Sequence, residues 1–239
     1  MTKKVIQCTF IIVLIIGIFN IVSFSAQKTL PKKASQEKLL STISLDELMT
    51  HVEKQYFKKA FSVRFLQESS LKAMQITDKA NGIASFKHPG MMWWKYETPE
   101  EQYIITNGDD LWIYRPEDNQ VMVGKSPDYF GKGKGASFLT NIQMLREAFD
   151  ISWVTDHPEA PPQNDSFYRI QLIPKKNNPD FTVLFLSIDK KTYHIHELVT
   201  LNGYNDRTWI QFQEQRFLNE LKNDRFTFSI PEKADVVQF

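Results

Sequence analysis

A single cysteine stands in the 239 residues, and it is Cys8, ahead of the first apolar stretch. The rest of the chain therefore offers neither a disulfide nor thiolate chemistry, and its stability rests on its core. Excess charge of one sign is also lacking: 29 Lys and Arg against 28 Asp and Glu leave a formal net charge of +1, with no global pull on nucleic acid. There is no Gly-x-Ser-x-Gly elbow. The run GKGKG at 131–135 has no Gly-Lys-Ser/Thr to close a phosphate loop and reads as a hinge or solvated loop. No paired carboxylates sit in an apolar context, so no acid–base machine stands out. No repeat of fixed period is present. What is abundant is aromatic: 13% Phe, Trp and Tyr, a content that favours strands in a chain long enough to bury a sizeable core.

The N-terminus reads as a secretory leader. Lys3 and Lys4 precede an apolar run from Phe10 to Phe19 that continues past Asn20 to Phe24, and small residues follow at Ser23, Ser25 and Ala26. An uncleaved anchor is the rival, but the apolar run is short for a full span. Cleavage near Ser25/Ala26 removes two lysines and no acid, moving the formal net charge from +1 to −1. The expected organisation is thus 1–26 leader, 27–43 a basic flexible segment, and 44–239 one domain, exported and free of disulfides.

Within that domain Ser44 and Glu47 have capping-box spacing. Leu45, Leu48, Met49, Val52 and Tyr56 then recur as one helical face. From Phe61 the period becomes two. Strands are expected at 61–76, 80–88, 91–98, 101–107, 110–115, 119–124, 166–174, 181–189, 193–201, 207–218 and 225–230, with Asn81-Gly82 and Asn107-Gly108 as positive-φ turns. Ser137–Phe149 reads as a second helix striped by Phe138, Leu139, Ile142, Leu145 and Phe149. Residues 157–165 break regular structure. Serial short strands of this kind predict an antiparallel meander.

Several strands are apolar on both faces: Phe181–Ile188, Leu111–Tyr114 and Tyr103–Ile105. An antiparallel sheet with one wet face would alternate. A sandwich or closed-barrel core accounts for this, and so does a curved sheet whose concave face is a partly vacant apolar container under the two helices. Met91, Met92, Met122 and Met144 suit a pocket of changing shape and equally serve as core fillers. His194 and His196 alternate on one strand, a start for a metal site without further ligands nearby; solvent-facing histidines are the alternative.

The segment Lys87, Pro89, Gly90, Trp94, Tyr96, Pro99, Gln102, then Asn107-Gly108, Leu111-Trp112, Tyr114, Pro116 and Gln120-Val121, resembles the LolA family of periplasmic lipoprotein carriers. Phe61, Phe65 and Gln67 upstream, Asn205, Arg207 and Thr208 downstream, and Phe226–Pro231 with Asp235-Val236-Val237 at the end extend the likeness over about 44–237. The resemblance implies an α+β, mostly antiparallel fold: an incomplete, half-open β-barrel with a helical lid over an apolar cavity. It implies a monomeric periplasmic chaperone without cofactor or catalysed reaction. Its partners would be the acyl chains of lipoproteins, an inner-membrane ABC transporter that releases them and an outer-membrane receptor. A lipoprotein-sensing regulatory module on the same half-barrel, or an enzyme acting on lipid, are the other classes. Phe65, Met92, Trp94 and Tyr96 are the expected cavity lining and Leu139, Ile142 and Leu145 the lid stripe. His88 stands where the family has an arginine that latches the lid, and Met92 where the family has phenylalanine. Histidine brings fewer donors than arginine to such a latch.

Overall fold

The computed structural model describes residues 43–130, 136–178 and 180–238. The expected leader, nearly all of the segment 27–43 and the GKGKG run fall outside them. Twelve strands form one sheet in the order β12-β6-β5-β4-β3-β2-β1-β11-β10-β9-β8-β7. Six are successive hairpin strands: β1 Ala60–Leu71, β2 Ile76–Lys87, β3 Met91–Thr98, β4 Gln102–Asn107, β5 Asp110–Arg115 and β6 Gln120–Lys125. Five more form a second meander: β7 Phe149–Trp153, β8 Phe167–Pro174, β9 Val183–Asp189, β10 Ile195–Leu201 and β11 Arg207–Leu218. The two meanders join through the antiparallel pair of long strands β1 and β11. β12, Asp235–Gln238, adds to β6 in parallel. The sheet is open, with β12 and β7 at its edges.

Helix α1, Leu45–Tyr56, starts where the capping box requires. The Glu47 N–H donates to Ser44 Oγ at 3.2 Å and the Ser44 N–H to Glu47 Oε2 at 2.8 Å. Leu48, Met49, Val52 and Tyr56 are its buried face. The buried Tyr56 hydroxyl donates to Gln215 Oε1 and accepts the Ile195 N–H, both at 2.8 Å, which pins the end of α1 to β11 and β10.

The second expected helix is broken. Ser137–Thr140 is a 3-10 turn, Asn141–Gln143 interrupts, α3 covers only Met144–Ala148, and Phe149 already belongs to β7; a short helix α2, Ser126–Phe130, follows β6. The break has local causes. Thr140 Oγ1 bonds back to Ser137 O at 2.7 Å and Asn141 leaves helical geometry at φ −149° and ψ 74°, in keeping with the poor helix propensity of both residue types.

Three more expectations change. Asn81-Gly82 is not a turn; it lies inside β2, where the register shifts between the two residues. The β1–β2 turn is at 72–75, closed by Met74 N–H to Leu71 O. Glycine at 82 answers a close approach: a Cβ there would lie 1.9 Å from Lys95 O and 3.0 Å from Phe65 Cε1. Gly108 does have positive φ, 104°, and packs on Gly90 at φ 68°. Last, 225–230 forms no strand. It starts in a 3-10 turn, Asn223–Phe226, and inserts Phe226 and Phe228 against the sheet.

Segments of the chain itself cover much of both faces of the sheet. On the inner face α1 and the segment 136–148 cover β1–β3 and β8–β11 in one cluster. On the outer face the C-terminal segment crosses β2–β5. Arg225 stacks 4.2 Å over Trp93 and donates to Ser85 Oγ at 3.1 Å, and Phe228 lies 5.2 Å from Tyr114. Residues 154–160 do the same for Phe185, Val199 and Leu201, with His157 4.9 Å from Phe185. Among the described residues no helix is long and apolar enough to cross a membrane.

Gly82→Ala is expected to destabilise the protein by about 1–3 kcal/mol or more, because backbone must move to admit the methyl group. Gly203→Ala, where a Cβ meets nothing within 4 Å, is the control. Urea denaturation of the two variants measures the difference.

Candidate functional site

Strand register places the expected lining residues on one face. Met92 pairs with Phe86 and through it with Phe61, Trp94 with Ala84 and Val63, and Tyr96 with Gly82 and Phe65. The bare backbone at Gly82 lets the rings on either side meet. Phe65 lies 5.0 Å from Tyr96 and 4.9 Å from Trp94, both edge-on, and Trp94 lies 5.3 Å from Phe86. Tyr96 donates to Gln67 Oε1 at 3.1 Å; burial, with Tyr129 second, raises its phenol above the ordinary range.

The expected vacancy is filled. Phe65, Met92 and Trp94 are only 1%, 2% and 6% exposed, and they share one packed cluster with Phe138, Leu139, Ile142, Leu145 and the buried face of α1. The container read from the sequence is occupied by the protein's own helices. Two hollows lie elsewhere, at the surface. One of about 350 Å³ is bounded by Leu45, Met49, Phe149 and Ile151, with Asp46 and Arg146. The other, of about 420 Å³, opens beside His88.

His88 Nδ1 lies 2.9 Å from the carbonyl oxygen of Thr140. A carbonyl only accepts, so Nδ1 carries the proton and donates; the neutral Nδ1–H tautomer and the imidazolium both make this bond. The acceptor exists because of the helix break. In a continuous α-helix Thr140 O would take the N–H of Met144. Here Met144 N–H goes to Asn141 O at 3.1 Å, and the Thr140 carbonyl is left for the sheet.

A second tie was not legible in the sequence. Arg146 on α3 donates to Asp46 Oδ1 at 2.6 Å, to Asp46 O at 3.1 Å and to Glu53, bridging α3 to α1. Lys175 Nζ holds the Arg146 carbonyl at 2.8 Å. The helical spacing of Asp46 and Glu53 was available, but nothing in the sequence pairs them with an arginine about a hundred residues away.

The histidine pair is no shared ligand face. His194 precedes β10, a register shift intervenes between Ile195 and Glu197, and the two rings have different neighbours. His196 stacks on Phe167 at 4.6 Å. His194 packs 4.9 Å from Phe217, and its Nε2 lies 2.8 Å from the Gln55 amide nitrogen, which donates to it. Neither histidine faces open solvent; both are half-buried. Among the described residues no group of three or more His, Cys, Asp or Glu gathers as a metal site.

Residues 58–229 match the family model described as outer membrane lipoprotein carrier protein LolA. The outer-membrane lipoprotein carrier protein of Nitrosomonas europaea is 27% identical over 208 residues, which covers 87% of this chain and 91% of the relative. That of a Pseudomonas aeruginosa strain is 27% identical over 157 residues, covering 66% and 71%. Among solved structures, an uncharacterized conserved protein from Thermus thermophilus aligns with a TM-score of 0.51 at 12% identity, over 81% of this chain and 98% of that one, a likeness of fold alone.

Two outcomes are expected from this geometry. A double-mutant cycle of Arg146→Met and Glu53→Gln, read by urea denaturation, should give a coupling of roughly 0.5–1 kcal/mol, as fits a partly exposed pair. Acidification should also weaken the fold through His194. Burial, with Lys59 adding to it and Asp189 opposing, lowers its pKa from the ordinary 6.5. The unfolded chain then binds the proton first, so this contribution is complete above about pH 6.5 and declines below it until the folded ring also titrates. His194→Asn should show a shallower loss of unfolding midpoint between about pH 7 and pH 5.

Proposed function

This chain belongs to the LolA family of outer-membrane lipoprotein carriers, and we propose that it shields the acyl chains of lipoproteins in the periplasm and carries them from the inner to the outer membrane. The observation that carries the reading is the packing of residues 136–148 on Phe65, Met92, Trp94 and the neighbouring inner face. In that arrangement the segment 136–148 covers, as a lid, the apolar face that cargo would take.

The energetics fit an exchange. A buried methylene contributes about 0.8 kcal/mol, so one acyl chain of ordinary length is held from water by roughly 10 kcal/mol. Phe138, Leu139, Ile142 and Leu145 are each at most 2% exposed. Burying each side chain stabilises by about 1.5–3 kcal/mol, so the four together match roughly one acyl chain. Cargo with several chains then favours the loaded form, and transfer needs no chemistry in the carrier. The lid would be displaced as a population shift. In this reading Phe65, Met92, Trp94 and Tyr96 line the opened cavity, and Leu139, Ile142 and Leu145 are the lid surface that leaves it. The His88–Thr140 bond is the latch. Arg146 makes α1 and α3 move together. The leader is removed on export, residues 44–239 act as one domain, and the donor and acceptor are an inner-membrane ABC transporter and an outer-membrane receptor. No reaction is catalysed and no cofactor takes part.

The test is a cysteine pair, His88→Cys with Thr140→Cys, in the exported chain, whose remaining sequence has no other thiol. Oxidised, the pair should abolish uptake of a purified triacylated lipoprotein, and reduction should restore it. Uptake undiminished with the bridge formed would overturn the lid.

A further inference from the structure

The hollow beside His88 lies where the end of α1 meets β1, the end of β2 and the tail of β11. Its walls include Ala60, Phe217, Leu218 and Leu221, and Lys58, Lys59 and Lys87 belong to its lining. Glu220 is the acid on the same lining. Among the described residues no carboxylate lies within ion-pair distance of any of the three lysines. Lys79, Lys95 and Lys125, elsewhere on the sheet, each sit against an acid.

The three ammonium groups are held by other means. Lys58 Nζ sits 5.1 Å from the Phe57 ring and Lys59 Nζ 5.2 Å from Phe217. Lys87 Nζ donates to Leu221 O and to Asn223 Oδ1 at 2.7 Å, which leaves it an unused N–H. Lys58 takes φ 52° and Lys59 N–H closes on Tyr56 O at 3.1 Å, so the helix ends and two successive lysines stand at its C-terminus. Cations at a helix C-terminus are ordinary complements to its dipole. That does not account for Phe57, which is 44% exposed beside them, nor for Lys87 arriving from β2. Cations around apolar walls with an exposed aromatic at the rim match an interface of acyl chains and charged headgroups rather than a small free anion.

We propose that this hollow, with Phe57, is a docking surface for the anionic headgroups of a phospholipid bilayer. It lies at the end of the molecule that carries the His88–Thr140 contact, so docking would bring the lid's tie to the sheet up to the membrane surface. His88 is on its lining, but Phe65, Met92, Trp94 and Tyr96 are not, so vesicle binding and lipoprotein uptake are separate readouts and either can fail without the other.

Purified protein is sedimented with vesicles of phosphatidylcholine in which about a third of the lipid is phosphatidylglycerol, and with phosphatidylcholine alone. Binding should require the anionic lipid and weaken as salt rises. Lys58→Gln with Lys59→Gln removes the charges of two exposed side chains, and Lys58→Glu with Lys59→Glu reverses them; both should leave lipoprotein uptake unchanged, with only a small fall in unfolding midpoint from the helix terminus. Each lysine contributes about fivefold at such a surface, so the neutralised pair should lose roughly twenty-five-fold in vesicle affinity and the charge-reversed pair at least as much. Phe57→Ser should weaken it severalfold. Equal binding to neutral vesicles, full binding by the charge-reversed pair, or no vesicle binding alongside capture of an acidic protein would each overturn the proposal. So would release by inorganic phosphate beyond that caused by chloride of equal ionic strength, since the site would then hold a free anion.

Discussion

Water has to be kept off the inner face of β1–β3, and much else in the molecule follows from that. Phe61, Val63, Phe65, Phe86, Met92 and Trp94 form a continuous apolar surface across three paired strands. A twisted open sheet cannot cover such a surface by itself. α1 and the segment 136–148 cover it here with Leu48, Met49, Val52, Phe138, Leu139, Ile142 and Leu145. Non-directional apolar contact needs no unique partner, so the same surface accepts either the protein's own side chains or methylenes of similar bulk. Directional ties of the segment 136–148 include the bond from His88 to Thr140 and the cluster around Arg146, whereas α1 is pinned to β10 and β11 through Tyr56 and to His194, just before β10, through Gln55.

The broken helix is what makes the first of those bonds available. A backbone carbonyl inside a continuous helix is already satisfied, and a side chain on the sheet could hold it only in competition. Ending the 3-10 turn at Thr140 frees one buried acceptor at the edge of the cover, and a single donor from the end of β2 satisfies it. Arg146 acts on the other half of the same segment, tying it to α1 and not to the sheet. The cover is thus joined to its neighbouring helix through Arg146, to the end of β2 by the bond from His88, and to Lys175 after β8 through the carbonyls of Arg146 and Ala148.

Much of the architecture could be read in advance because it rests on local rules. The capping box, the α1 face, the hairpin β4–β5 around Gly108 and the shared face of Met92, Trp94 and Tyr96 depend only on spacing and backbone geometry. Reading failed where a residue answers to a neighbour distant in sequence. Asn81-Gly82 looks like a turn, but its glycine exists for the Lys95 carbonyl pressing on it. Phe226 and Phe228 alternate like a strand, yet they serve the outer surface near Trp93 and Tyr114 without ladder bonds of their own. The histidines two apart looked paired until a register shift separated their surroundings.

The two-faced strands left two readings open, a filled core and a partly vacant container. Their composition established that both faces of the sheet are dry, because charged and polar side chains are largely absent from both. It did not say what dries them, since the hydrophobic effect is indifferent to whether the covering group is a lid, a strap of irregular chain or a lipid. That choice belongs to the packing of segments far apart along the chain: 219–228 and 154–160 outside, α1 and 136–148 inside. Alternation and capping act between neighbours and survive in any reading of the residues alone. Which surface covers which is a matter of volume and shape at long range, and it arises only when the chain closes on itself.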